Sequence, residues 1–309
     1  MKIIKLINKT ALPENVDNIR LFGAIYNTLI ELNKEKANVF RDKINNGKIK
    51  ITSAFPFIKN KKNGKNILFF PKPKKPEKIT DSLRISVEVF NYMKEFKNIK
   101  YVSEEDLSEF IKHKVYDEKF AERFVNKERA KENKLEIERV TIPRNVLDRI
   151  TMKSMIFYEH YIYIKGGGLW FGVEADDEDF KNIIRPALAL LKDRGIGPNY
   201  SVGFGQFEFE VKEIKMGFDF NNYNGFLSLS KIIPTVKDIK GFSGFWDIKE
   251  MKSITRNGYH ISPINMFTEG SVFNKKIDGS LREIIKNEYI VNGKAFLIPC
   301  FVGVDENEN

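Results

Sequence analysis

The stretch DRGIGPNYSVGFGQFEFE, Asp193 to Glu210, places four glycines within eleven residues and then begins to alternate. Phe207, Phe209 and Val211 are apolar while Glu208, Glu210 and Lys212 are charged, the period-two pattern of a half-buried strand. Upstream, Phe180, Ile183, Ile184, Ala187, Leu190 and Leu191 recur at helical spacing. Pro186 is expected to bend or interrupt that helix, and Gly195 is placed to end it in a left-handed conformation. The glycines therefore close a helix and open a strand. Dinucleotide fingerprints and the phosphate loops of NTPases run the other way, from strand into helix, and the latter add a Lys-Ser or Lys-Thr pair that is missing here. Two readings remain. Backbone without Cβ lets a sugar-phosphate chain reach main-chain N–H groups without base readout; alternatively, the glycines serve only a bulge and a close backbone crossing. Phe204, between two glycines, is placed to stack on a base or on a neighbouring residue.

Outward from this stretch, strands and helices alternate irregularly. Lys2 to Lys9 reads as a strand, and Asp17 or Asn18 caps a helix whose stripe is Leu21, Phe22, Ile25, Tyr26 and Leu29. Ile49 to Ile58 and Asn66 to Phe70 read as a hairpin with KNKKNGKN at its tip. The prolines of PKPKKPEK impose an extended connector. Tyr101 to Val140 is dominated by charge and reads as an exposed helical insertion or a solvated surface. Met155 to Ile164 and Leu169 to Val173 read as strands joined by a turn at Gly166 to Gly168. Asp176 to Asp179 supply negative charge for a helix start rather than a metal site. With residues 37–145 set aside, the order is strand, helix, strand, strand, helix, strand, that of a ferredoxin-like domain. Residues 215–309 carry further strand signals at Phe226 to Ile233, Phe245 to Ile254 and Ala295 to Val304, enough for a smaller α+β domain.

Composition narrows the partners. The 309 residues hold 52 Lys and Arg against 42 Asp and Glu, a net charge of +10, which suits a polyanion and equally a Lys/Glu-rich surface. No apolar run approaches a membrane span and the N-terminus lacks a signal-peptide pattern. The single cysteine, Cys300, lies in an apolar run and cannot form an internal disulfide. A cytoplasmic protein without membrane contact is expected. Histidine is scarce. RNA cleavage needs a base, an acid and a cation around one phosphate; His113, His160 and His260 form no spacing of that kind, and no metal set is evident.

The stretch GIGPNYSVGFGQF resembles the glycine-rich loop of the RAMP superfamily, the repeat-associated RNA-binding proteins of CRISPR systems. SAFPF (Ser53 to Phe57), FFPKP (Phe69 to Pro73), RNVLDRIT (Arg144 to Thr151), GGGLWFGV (Gly166 to Val173), RNGYHIS and EGSVF run in order along the chain. They resemble blocks of the Csm-type subunit that caps the guide-RNA 5′ end in type III-A effector complexes of antiviral defence. Asn18 to Phe22 departs from the Ser-Asp-Thr-Leu-Phe-like helix start usual in that branch, so no role is carried over to it.

The resemblance implies an α+β chain of two ferredoxin-like (RRM-like) RAMP domains: residues 1–214, with an insertion at about 37–145, and a smaller domain at 215–309. It implies a non-catalytic subunit without cofactor or metal, holding the 5′ tag of the crRNA in a cleft by the loop. One side would contact the large polymerase-domain subunit, the other the first backbone RAMP subunit. A thumb-like element that kinks the guide would fall between Pro76 and Pro143. Gly195, Gly197, Ser201, Gly203, Phe204 and Gly205 match the loop. Arg144, Asn145 and Arg149 lie in a matched block, where guanidinium suits phosphate or an ion pair such as Arg149–Asp148. Arg256 and Tyr259 are phosphate and stacking candidates. The lysines of KNKKNGK and PKPKKPEK read as a solvated face. A guide-processing endoribonuclease of the same superfamily and a freestanding RNA-binding protein are the alternatives.

Overall fold

In the computed structural model, which describes residues 1–79, 86–147, 153–197, 199–214, 223–254, 260–285 and 289–303, strand Lys2–Asn8 lies inside the largest sheet. Phe207–Glu213 pairs with one edge of it and Gly167–Glu174 with the other, both antiparallel. Phe55–Lys59, Asn66–Pro71 and Tyr101–Ser103 follow in that order beyond Gly167–Glu174. Period-two alternation sends Ile4, Leu6 and Phe171 to one core, and Ile3, Phe57 and Trp170 to another. Both faces of the sheet are therefore buried. Helices Asn18–Leu32 and Lys34–Asn45 and the helical segment 177–194 cover the first face.

The strand beside Gly167–Glu174 differs from the one read in the sequence. Phe55–Lys59 occupies that place, whereas Ser154–Ile164 joins a separate sheet with Ile137–Leu147 and Leu12–Pro13. Glycines explain the difference. A Cβ on Gly167 would lie 1.9 Å from the carbonyl oxygen of Phe57, and one on Gly168 would lie 2.0 Å from that of Leu6. The GGG run is thus the tightly clamped start of a central strand, with only Gly166 left to turn.

The charged stretch 101–140 is not a solvated surface. Leu107, Phe110 and Ile111 line helix Glu104–Lys112, and Phe120, Ala121, Phe124 and Val125 line Glu118–Ala130, at three- and four-residue spacing between the charges. They close over Phe96 of helix Val87–Asn98; the Phe110 and Phe124 rings lie 4.7 Å apart. The connector lysines belong to this core as well. Lys72 Nζ sits 3.6 Å over the Phe96 ring and donates to Glu77 at 2.9 Å. Lys75 Nζ donates to the carbonyls of Phe110, Ile111 and His113 at 2.9, 3.0 and 2.6 Å, capping the end of a helix as a cation does best. Burial pushes the Lys75 ammonium down to about 8. Pro186 is absorbed without a break: a π-helical turn, Phe180–Ile184, precedes it and leads directly into helix Arg185–Arg194, a widened turn that accommodates a residue with no N–H to donate.

A four-stranded sheet, in the order Gly244–Phe245, Val272–Phe273, Gly225–Ser228 and Leu297–Cys300, packs on the second face through Leu227, Val272 and Ile298. Cys300 is buried there, and burial pushes its thiol up to about 12. Asn18 ties this region to the first helix. Asp17 caps that helix by accepting from Arg20 N–H, leaving the Asn18 amide free for other partners. The fully buried Asn18 amide donates to the carbonyls of Lys231 and Asn292 at 3.1 and 2.8 Å and accepts from Lys231 N–H at 2.9 Å. Ser53 Oγ accepts from the Asn18 backbone N–H at 3.1 Å and donates its one proton to Glu269. Asn18→Ala strands the buried groups of Lys231 and Asn292 without partners. A loss of about 3 kcal/mol in urea unfolding is expected; a loss under about 1 kcal/mol would contradict the assignment.

Candidate nucleic-acid interface

The glycine loop is built by two backbone crossings. Gly195 ends helix Arg185–Arg194 with its N–H on Leu191 O at 2.7 Å. Its φ of 95° is positive as expected, but its ψ of 159° lies outside the left-handed helical region. Ile196 N–H then bonds Gly205 O at 2.9 Å, and Gly205 N–H bonds Ala11 O at 3.0 Å. A Cβ on Gly195 would lie 2.5 Å from Phe204 O, one on Gly205 2.1 Å from Ile196 O, and one on Gly197 2.2 Å from Pro13 Cγ. Three of the four glycines therefore serve close approach. Gly203 is different: its φ is 91°, yet a Cβ there would meet nothing within 4 Å. It sits at the tip beside the exposed Ser201 and the single turn Tyr200–Val202.

The loop leans on the hairpin Ile137–Leu147/Ser154–Ile164. At the inner end of the hairpin Tyr161, Ile162 and Ile164 are buried, while at the outer end Met155 is 72% and Tyr158 62% exposed. Phe204 packs on a neighbouring residue, its ring tilted by 32° and 4.4 Å from that of Tyr161. Arg144 Nε donates to Glu159 Oε2 at 3.2 Å across the two strands. Asn199, the only non-glycine residue of positive φ among those described, donates from Nδ2 to the same Glu159 oxygen and to Tyr161 Oη, the latter at 2.7 Å. Asn145 is exposed opposite Ile156. Arg149, Arg256 and Tyr259 lie outside the described residues.

Glu159, Asn199 and Tyr161 were not singled out in the sequence. The signal was faint: an asparagine inside a glycine-rich turn is a usual occupant of the left-handed region, whereas a glutamate in a strand announces nothing. Arg194, which lies beneath Tyr200 at 4.8 Å and bonds its hydroxyl at 3.2 Å, was equally silent.

Segment Leu12–Asp17 joins the loop to a second feature. Pro13 abuts Gly197, and Glu14 to Asp17 line a cleft of about 1000 Å3. Three of the quoted blocks meet in it, through Ser53 to Phe55, Pro71 to Pro73 and Glu269. Its walls carry Tyr101, Trp246 and the lysines Lys97, Lys100 and Lys249, which have no carboxylate partner among the described residues. Lys231 is held by Asp17, and Lys74 by Asp247 at 2.8 Å. Asp176 to Asp179 act as a helix start: Asp176 accepts from Asp179 N–H at 2.7 Å, and Asp177 pairs with Lys2 at 2.5 Å. Among the described residues no group of three or more His, Cys, Asp or Glu could hold a metal ion, and no helix is long and apolar enough to cross a membrane. His113 bonds Glu109 O at 2.9 Å, and His160 meets Thr141 at 3.2 Å, each apart from the loop's own contacts.

The division among the glycines is testable. Gly205→Ala drives a Cβ into backbone at positive φ and is expected to cost about 3 kcal/mol. Gly203→Asn keeps a tolerated conformation in open space and is expected to cost about 1 kcal/mol or less. Equal losses in thermal or urea unfolding would contradict the division.

No protein-family model matches the chain. A curated protein of Thermococcus onnurineus (strain NA1) described as "CRISPR system Cms protein Csm4" is 28% identical over 236 residues, 75% of this chain and 74% of that one. The fold is similar to one chain of a Csm3-Csm4 subcomplex of the type III-A CRISPR-Cas interference complex, with a TM-score of 0.65 and 19% identity over 97% of this chain and 99% of that one. It is also similar to a chain of a Csm1-Csm4 cassette in complex with cA4, with a TM-score of 0.63 and 20% identity over 98% and 99%. In sequence over three quarters of its length, and in fold over nearly all of it, the chain is similar to Csm4 proteins.

Proposed function

We propose that this protein is the non-catalytic, cytoplasmic subunit of a type III-A Csm effector that holds the 5′ tag of the crRNA. In this reading it joins the large polymerase-domain subunit to the first backbone RAMP subunit. Similar chains have been solved with Csm1 and with Csm3, which supports both contacts. The observation that carries the RNA reading is the meeting of an open glycine tip, Arg144 and an exposed hairpin, continuous through Leu12–Asp17 with a lysine-lined cleft. Such a surface offers backbone N–H groups, guanidinium and aromatic faces to a single strand, the groups that hold phosphate and stack bases.

The first domain is proposed as ferredoxin-like. In its support, Phe207–Glu213, Lys2–Asn8, Gly167–Glu174 and Phe55–Lys59 lie side by side in that order, all antiparallel, with helices on one face. We place the second such domain at 225–303, around the four-stranded sheet. The thumb-like element is better assigned to the projecting hairpin 137–164 than to the packed helices at 87–130. Against an endoribonuclease, His113 and His160 stand on separate elements with backbone or threonine partners, and among the described side chains no histidine pair supplies the acid and base of RNA cleavage.

Purified protein is expected to bind tagged guide RNA with affinity that falls steeply between 50 and 200 mM salt (about a log-log slope of −0.7 per phosphate contact), and to leave repeat RNA uncut. Copurification from the native source should return RNA together with two partner subunits. A specific cut lost in His160→Ala would overturn the non-catalytic reading. A partner-free monomer would favour the freestanding protein.

A further inference from the structure

We infer that the point where Arg144, Asn199 and Tyr161 converge is a phosphodiester subsite, occupied in the unbound protein by the carboxylate of Glu159. The inference rests on the RNA reading above and gives that site an internal competitor. Three donors from three parts of the chain meet on one oxygen. Arg144 Nε comes from strand Ile137–Leu147 at 3.2 Å, Tyr161 Oη from strand Ser154–Ile164 at 3.3 Å, and Asn199 Nδ2 from the glycine loop. Burial raises the Tyr161 phenol further above neutral pH, so it stays protonated and able to donate. Convergence of this kind is what a phosphate oxygen demands of its host.

The point is also reachable. The Glu159 side chain is 17% exposed and that of Arg144 33%. Arg144 engages Glu159 through Nε alone, and its two terminal nitrogens make no bond to a described residue. The residue directly opposite Arg144 on the partner strand, Phe157, is itself exposed. Glu159 holds the donors in place while cancelling the charge that would attract RNA. An incoming phosphate must displace it or share Arg144 with it.

Removing the charge while keeping the acceptor separates this arrangement from a purely structural ion pair. E159Q retains a carbonyl oxygen for Asn199 and Arg144 and leaves the guanidinium unneutralised. Tagged guide RNA should bind E159Q several-fold more tightly than wild type at 150 mM salt, with a log-log salt slope steeper by about 0.7. The gain should vanish in the double variant E159Q/R144Q. E159A, which also removes the acceptor and frees the loop, should bind more weakly than E159Q. A second arm needs no RNA: inorganic phosphate should raise the Tm of E159Q relative to chloride at equal ionic strength, and by more than it raises that of wild type. Binding by E159Q equal to or weaker than that of a competent wild type overturns the subsite and leaves Glu159 as a structural anion. If wild type itself fails to bind tagged RNA, the RNA reading falls. The phosphate arm then decides the subsite alone, and an equal response of the two Tm values overturns it.

Discussion

The buried amide of Asn18 is the contact on which the rest of the arrangement depends. Its side chain uses donor and acceptor together, bonding Lys231 through both N–H and carbonyl and Asn292 through its carbonyl. The position uses two donors and an acceptor on one group; ionised aspartate has no donor and serine has one. The amide pins the start of the first helix to the C-terminal region, and the Asn18 backbone N–H ties it to the floor of the cleft through Ser53, which turns on to Glu269 at 2.5 Å. Asp17, one residue earlier, caps the helix and holds Lys231 as well. The geometry of the cleft is therefore fixed from beneath by neutral hydrogen bonds in a fully buried place, where each unmet partner is costly.

Close crossing accounts for three of the four glycines of the loop. Gly195, Gly197 and Gly205 are demanded by crossings of the chain over itself and over Pro13. Gly203 meets no close neighbour; its positive φ alone favours glycine, and it stands beside the exposed turn Tyr200–Val202. Close crossing and surface presentation are two parts of one device: three glycines fold the loop flat so that the fourth, with Ser201 and Tyr200, is held out. Asn199 adds the tether by reaching across to Glu159 and Tyr161. Phe204 spends one face of its ring on Tyr161, so it supports the loop from inside.

How much was legible follows from which residues carry local signals. The helix of Leu21 to Leu29 and the strand after Phe207 were readable because each repeats its period over several residues. The partner of Gly167–Glu174 was not readable. Phe55–Lys59 and Met155 to Ile164 are both rich in strand formers, and the choice between them rests on how closely Phe57 can approach Gly167, a long-range fact. The helices at 104–130 were obscured because Lys and Glu outnumber the seven apolar positions that pack. Lys72 and Lys75 misled for a related reason: a lysine in a proline-rich connector reads as solvated until the ring or the carbonyls that enclose it are known. The order of the short blocks was legible, but their meeting in one cleft was not.

Photo-crosslinking of tagged guide RNA to the purified protein, with the adducts located by mass spectrometry, tests the central claim most directly. The account predicts adducts in the peptides spanning 137–164 and 193–210 and in the cleft wall around Tyr101 and Trp246. Adducts confined to other surfaces, or none above those of an untagged RNA of equal length, would contradict it.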